Sequence, residues 1–216
     1  MVFLHEILTF AQKYNMSTDI MVKISGVFNL TDARFYAAAG ADFIGFCMDE
    51  QHTHFCDLPR IKEIVSWLEG SSYVLETYVE PDEDKIDFYL QETGIRSIHT
   101  GPNTTSISKK YDDLTIFREV NLSDWNNMEI SAGQYLVLSS QKSVADILTD
   151  DIDLLTRLCL SYTCFLDLPW QNSSDVEAIL SVVTPVGLVF HGSAEEKTGL
   201  KNFDWMEEVF EMLGKS

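Results

Sequence analysis

Eight short β-rich runs follow one another along this 216-residue chain, and stretches of helical or turn character separate most of them. The runs fall at residues 21–25, 41–46, 73–79, 95–99, 114–120, 135–138, 164–168 and 186–190. Strands joined by crossovers of this length pair in parallel, because an antiparallel neighbour needs only a tight turn. Helical periodicity fills residues 58–68, 82–94, 147–159, 176–183 and 203–213, and an alanine-rich helix ends at Gly40. The alternation continues without a break, which predicts an α/β chain folded as a single (β/α)8 TIM barrel over residues 21–216. An open doubly wound sheet is the alternative.

Residues 1–20 precede the first strand. Phe3, Leu4, Ile7, Leu8, Ala11 and Tyr14 recur at three- and four-residue spacing, so the segment reads as an N-terminal amphipathic helical extension. Its apolar stripe predicts docking on the barrel or on a second subunit, with the chain a monomer or a homodimer. The opening residues lack a basic n-region, and Glu6 interrupts the apolar run, so a cytoplasmic location is expected.

Charge narrows the function classes. Fifteen Lys and Arg against 34 Asp and Glu give a formal charge of -19, which disfavours nucleic acid and anionic membrane surfaces as partners. Cys47, Cys56, Cys159 and Cys164 show neither a disulfide framework nor a zinc-ribbon spacing, and buried thiols are expected.

Five stretches carry a family resemblance. VKISGVFNLTDA at residues 22–33, followed by AGADFIGF at 39–46, resembles the K-I-C-G-I-T-N and A-G-A-D-x-x-G-F opening of phosphoribosylanthranilate isomerases. Tyr78-Val79-Glu80 is similar to the family's third-strand F-V-N, and Ile98-His99 sits at its Q-L-H-G. Residues 185–202 follow its P-x-G-V-D-V-S-S-G-V-E-x-x-x-G-x-K-D segment without gaps. The resemblance implies a barrel catalysing an Amadori isomerisation of N-(5-phosphoribosyl)anthranilate in tryptophan biosynthesis, with no cofactor and a phosphorylated small molecule as ligand.

The same resemblance exposes what is changed. The family's general base, the Cys of K-I-C-G, corresponds to Ser25, and its strand-six acid in Y-L-L-D-S corresponds to Leu138. Serine has no accessible anion without an activating neighbour, and Lys23, on the same strand face, is a remote candidate. Leucine transfers no proton. The loop arginine of K-S-P-R-Y falls on His54, the strand-eight aspartate on Val189, and glycine pairs after strands six and seven are absent. Lys23, His54 and His99, with Gly192 and Ser193 for a phosphate, are the remaining ligand-binding candidates. His52, His54 and His191 fall on the same face as His99 and form a candidate metal set, against which loop and packing roles are the expectation, so no metal is predicted. Activity is therefore expected to be lost or altered. A non-catalytic ligand- or protein-binding barrel, or an enzyme acting on a different phosphorylated sugar, are the alternatives.

Overall fold

A computed structural model describes residues 20–79, 82–104, 109–125, 134–192 and 204–215. The predicted extension, together with Ser193, lies outside the described residues. The eight strands are β1 Met21–Ser25, β2 Phe43–Cys47, β3 Ser72–Thr77, β4 Ser97–Thr100, β5 Thr115–Asn121, β6 Gln134–Ser139, β7 Cys164–Asp167 and β8 Gly187–His191. All neighbours are parallel, and β1 pairs with both β2 and β8, which closes the sheet into a barrel. The open sheet is excluded.

The crossover helices are α1 Leu30–Ala38, α2 Leu58–Trp67, α3 Glu83–Thr93, α4 Val144–Asp146, α5 Ile152–Ser161, α6 Ser173–Leu180 and α7 Asp204–Met212. A π turn, Ile147–Asp151, joins α4 to α5. The starts are written locally. Asn29, Asp57, Asp82, Ser143 and Asn172 each accept a hydrogen bond from a backbone N–H in the first turn of the helix they precede. Gly94, at φ 71°, ends α3 in the left-handed conformation that glycine adopts without Cβ strain.

Period-two alternation then divides the core in two. Outward strand residues such as Ile24, Phe46, Leu75, Leu136, Leu138 and Leu188 pack with the helices. Inward residues Val74, Phe117, Val137, Phe165 and Val189 form a separate cluster inside the barrel. Phe43, Phe117, Tyr135 and Phe165 plug the interior, and every pair among the four has ring centroids 4.8 to 6.3 Å apart. Such edge-to-face and offset contacts add to the area these rings bury. Gly187 makes the plug fit, because a Cβ there would lie 2.3 Å from Phe165 Cε1.

This packing generates a stability prediction. Gly187→Ala forces the Phe165 ring out of its place in the plug and is expected to lower stability by about 1–3 kcal/mol, the usual cost of overpacking. Chemical denaturation of the variant beside the parent measures it, and an unchanged midpoint would contradict the packing.

Candidate functional site

Above the aromatic plug the inward positions turn polar. Lys23 of β1, Glu76 of β3 and His99 of β4 are fully buried, and Glu119 of β5 is 9% exposed. Lys23 forms an ion pair with Glu76 Oε1 and donates to Ser25 Oγ at 2.5 Å, and its Nζ lies 5.7 Å from the Phe117 ring centroid. Glu76 Oε2 accepts the Gly26 N–H at 2.8 Å. Space for Glu76 comes from Gly45 on the neighbouring strand, where a Cβ would stand 2.0 Å from Oε1. His99 is flanked by carboxylates, with Nδ1 3.6 Å from Glu76 Oε1 and Nε2 3.5 Å from Glu119 Oε2, both beyond a good hydrogen bond.

Closer to solvent, the β7 and β8 ends meet. His191 Nε2 lies 2.8 and 3.1 Å from the two oxygens of Asp167. Between this pair and Glu119 opens a cavity of about 300 Å³, also lined by Tyr78, Ser139 and Gln141. Tyr78, just beyond β3, is set by its N–H, which donates to Asp49 Oδ2 at 2.6 Å. Its ring meets His52 stacked at 5.1 Å and His99 edge-on at 5.6 Å.

The charges follow from these contacts. Burial alone would raise the Glu76 pKa, but the charge of Lys23 and the hydrogen bond it donates, with His99 alongside, outweigh it, and the carboxyl is held far below its ordinary value. Burial acts against Glu119 as well, and His99, Ser139 and His191 bring it below the ordinary value. For His191, desolvation lowers the pKa while Asp167, by hydrogen bond and charge, raises it by more. Burial next to Glu76, Asp167 and Glu119 pushes the Tyr78 phenol well up, so it remains a neutral donor. The Cys47 and Cys56 thiols are both raised to about 12 by burial, which leaves them unreactive packing groups as expected.

No family model matches the chain. A curated relative, the N-(5'-phosphoribosyl)anthranilate isomerase of Sulfurihydrogenibium sp. (strain YO3AOP1), is 21% identical over 208 residues, covering 90% of this chain and 98% of that protein. The phosphoribosyl anthranilate isomerase structure from Thermotoga maritima superposes with a TM-score of 0.72 at 18% identity, covering 90% of this chain and 98% of that one. TrpF from Jonesia denitrificans gives 0.71 at 16% identity, with 90% and 97% covered. The chain is a divergent phosphoribosylanthranilate-isomerase-like barrel.

With that relationship in place, the isomerase-like positions can be located one by one. Ser25 ends β1 facing inward and is fully buried. Lys23 is in direct hydrogen-bond contact with it. Leu138 is the strand-six position to which the resemblance points. It belongs to the outer core among the helices, whereas Val137 belongs to the interior, so the residue that β6 turns toward the mouth is Ser139. Alternation is strict in a strand, and a one-residue offset changes the face.

The ligand candidates divide similarly. Lys23 and His99 lie beneath the cavity rather than on its wall. His54 stacks on Phe28 at 5.6 Å and lies over Gly26, whose missing Cβ would stand 2.6 Å from its Nδ1. The Gly192 N–H donates to the Ser25 carbonyl at 2.9 Å, so it is not a free amide for a phosphate. After β7, the Trp170 indole donates to Val189 O at 3.0 Å and its ring packs on Phe190. The metal set does not assemble. His52 Nδ1 accepts from the His54 N–H at 3.2 Å, His191 pairs with Asp167, and among the described residues no three metal-ligating side chains converge. Also among the described residues, no helix is long and apolar enough to cross a membrane.

Glu76, Tyr78, Glu119, Ser139 and Asp167 are the site residues that the sequence reading passed over. Their signal was present in the alternation: Val74, Glu76 and Tyr78, or Phe117 and Glu119, or Phe165 and Asp167, lie two apart on inward faces.

Two predictions test this geometry. Leu138→Asp buries a carboxylate among apolar helix contacts and should cost several kcal/mol, of the order of 3 or more, while Ser139→Asp leaves the fold standing. Equal tolerance would contradict the facing. Titration is the second test. Because Asp167 raises the His191 pKa, the stability it contributes is full below the unfolded value of about 6.5 and is lost as pH rises through the folded value. Histidine NMR should place the His191 midpoint above that of a free histidine, and Asp167→Asn should bring it down. For Glu76 and Glu119, both depressed, the contribution is present above about pH 4.5 and is lost as pH falls through their folded values.

Proposed function

We propose that this protein is an isomerase-like barrel in which the family's Amadori chemistry has lapsed while the mouth remains a ligand site. One observation carries the reading: the residue at the base position, Ser25, is a fully buried hydroxyl that already accepts a hydrogen bond from Lys23. An ammonium next to a hydroxyl would favour an alkoxide, but Glu76 pairs with that ammonium and cancels much of its field. A base must also reach the proton it abstracts, and this oxygen has no exposed surface. The mouth-facing residue of β6, Ser139, supplies no acid that titrates near neutrality.

The phosphorylated ligand of the family is disfavoured for a related reason. A related phosphoribosyl anthranilate isomerase structure holds reduced 1-(o-carboxyphenylamino)-1-deoxyribulose 5-phosphate, an anionic molecule. Here the cavity wall presents Glu119 and Asp167, and the Gly192 amide is already engaged. A ligand-binding mouth rather than a sealed one is supported by His191, which is half exposed at the rim and oriented by Asp167. That pairing fixes the imidazole in the way general bases are held, so a changed reaction is favoured over an inert scaffold.

The test is the loss of phosphoribosylanthranilate fluorescence with purified full-length protein. Two missing proton-transfer groups predict turnover roughly four orders of magnitude or more below that of an enzyme possessing them. Ordinary turnover would sink the reading. Ser25→Cys combined with Ser139→Asp should restore at most about a hundredfold, because the binding groups have changed too.

A further inference from the structure

The cavity at the mouth has a charge pattern that selects its ligand. Its walls carry two carboxylates, Glu119 and Asp167, and the imidazole of His191 is committed to Asp167 at 2.8 Å. Lys23 is sealed beneath and bound to both Glu76 and Ser25. Lys142, on the loop after β6, is turned to Asp151 at 2.7 Å. Glu119 is the exception. It is about nine-tenths buried and lines the cavity, and the His99 ring nitrogen nearest it is 3.5 Å away, beyond a good hydrogen bond. A buried carboxylate at a cavity wall gains from a charged donor brought by a ligand. Around it the Ser139 hydroxyl, the Tyr78 phenol and the Gln141 amide offer groups that both donate and accept.

We propose that the cavity binds a small amine-bearing polyol, its ammonium on Glu119 and its hydroxyl groups along Ser139, Gln141 and Tyr78, and that it rejects sugar phosphates. The volume, about 300 Å³, is at the lower end of small-molecule pockets and suits a ligand of five or six carbons, about the size of one open-chain sugar. A phosphate dianion would be desolvated against two carboxylates with no uncommitted cation among the described wall residues, which is the arrangement that excludes a competitor by repulsion. The inference rests on the preceding reading, that the isomerase phosphate site has not been kept.

Calorimetry and histidine NMR on the full chain separate the two claims. The probes are 1-amino-1-deoxy-D-glucitol, its uncharged counterpart D-glucitol, and D-ribose 5-phosphate. The amine should bind at least about tenfold tighter than glucitol and shift the His191 resonances, while ribose 5-phosphate neither binds nor competes. Glu119→Gln should remove the preference for the amine over glucitol. Because Glu119 is packed against His99, a second variant leaves the interior alone: Gln141→Lys, at an exposed position, should weaken the amine at least tenfold and admit ribose 5-phosphate. Equal binding of amine and glucitol, tighter binding of ribose 5-phosphate, or no binding by any probe would overturn the proposal. Ordinary turnover in the fluorescence assay would instead remove the reading beneath it, so the two failures are distinguishable.

Discussion

The buried ion pair between Lys23 and Glu76 is the constraint around which the upper half of this barrel is arranged. Taking two charges out of water costs several kcal/mol per ion, and their attraction compensates only if the remaining hydrogen-bonding capacity is also met. Each requirement has a visible answer. The second Glu76 oxygen takes the Gly26 N–H, the ammonium also reaches Ser25, and Gly45 vacates the volume the carboxylate occupies. An apolar layer at the same height would be easier to build, as the aromatic plug one layer below demonstrates. The ionic layer therefore makes sense as a support for charge at the mouth, because His99 bridges the gap between the sealed Glu76 and the open Glu119.

That arrangement also sets the surroundings of Ser25. Ser25 belongs to the ionic layer as an acceptor for Lys23, so its hydroxyl is a structural group in this chain. The barrel shares the fold of the isomerase structures at TM-scores near 0.7, and on its β7–β8 side it carries the titratable pair Asp167 and His191. A fold hosts many activities because the strands and helices hold the frame while the residues at strand ends change.

How much of this was legible in the residues depends on which physical signal was local. The strands and their order were readable, since period-two alternation is written within a few residues, and the caps that set the helix starts, such as Asn29 and Asp57, are local as well. Closure followed from the count of eight. The site was half legible. Ser25, Lys23 and His99 were found because they sit in recognisable segments, but what Lys23 does was not, because its partner lies 53 residues away on β3. The facing of Leu138 was not legible from its letters, because the pleat decides it: Leu138 packs outward and Ser139 is the inward residue. Gly192 shows the converse limit: a glycine after a strand looks like a phosphate cradle until the acceptor of its N–H, the Ser25 carbonyl, is known.

The glycines tie these threads together. Gly45 and Gly187 are both inward positions without a side chain, and each opens space for a neighbour, Glu76 in one case and Phe165 in the other. One therefore permits a charge in the barrel and the other an aromatic ring, from the same absence of a Cβ. A barrel interior filled in layers can exchange an apolar layer for an ionic one only where a neighbouring strand yields that volume. In this chain Gly45 yields it directly beneath the mouth, so the local event that admitted Glu76 also set the electrostatic character of the cavity above. The same volume makes Lys23 a partner for Glu76. The paired lysine and the carboxylate-lined cavity above it are then two consequences of one packing arrangement.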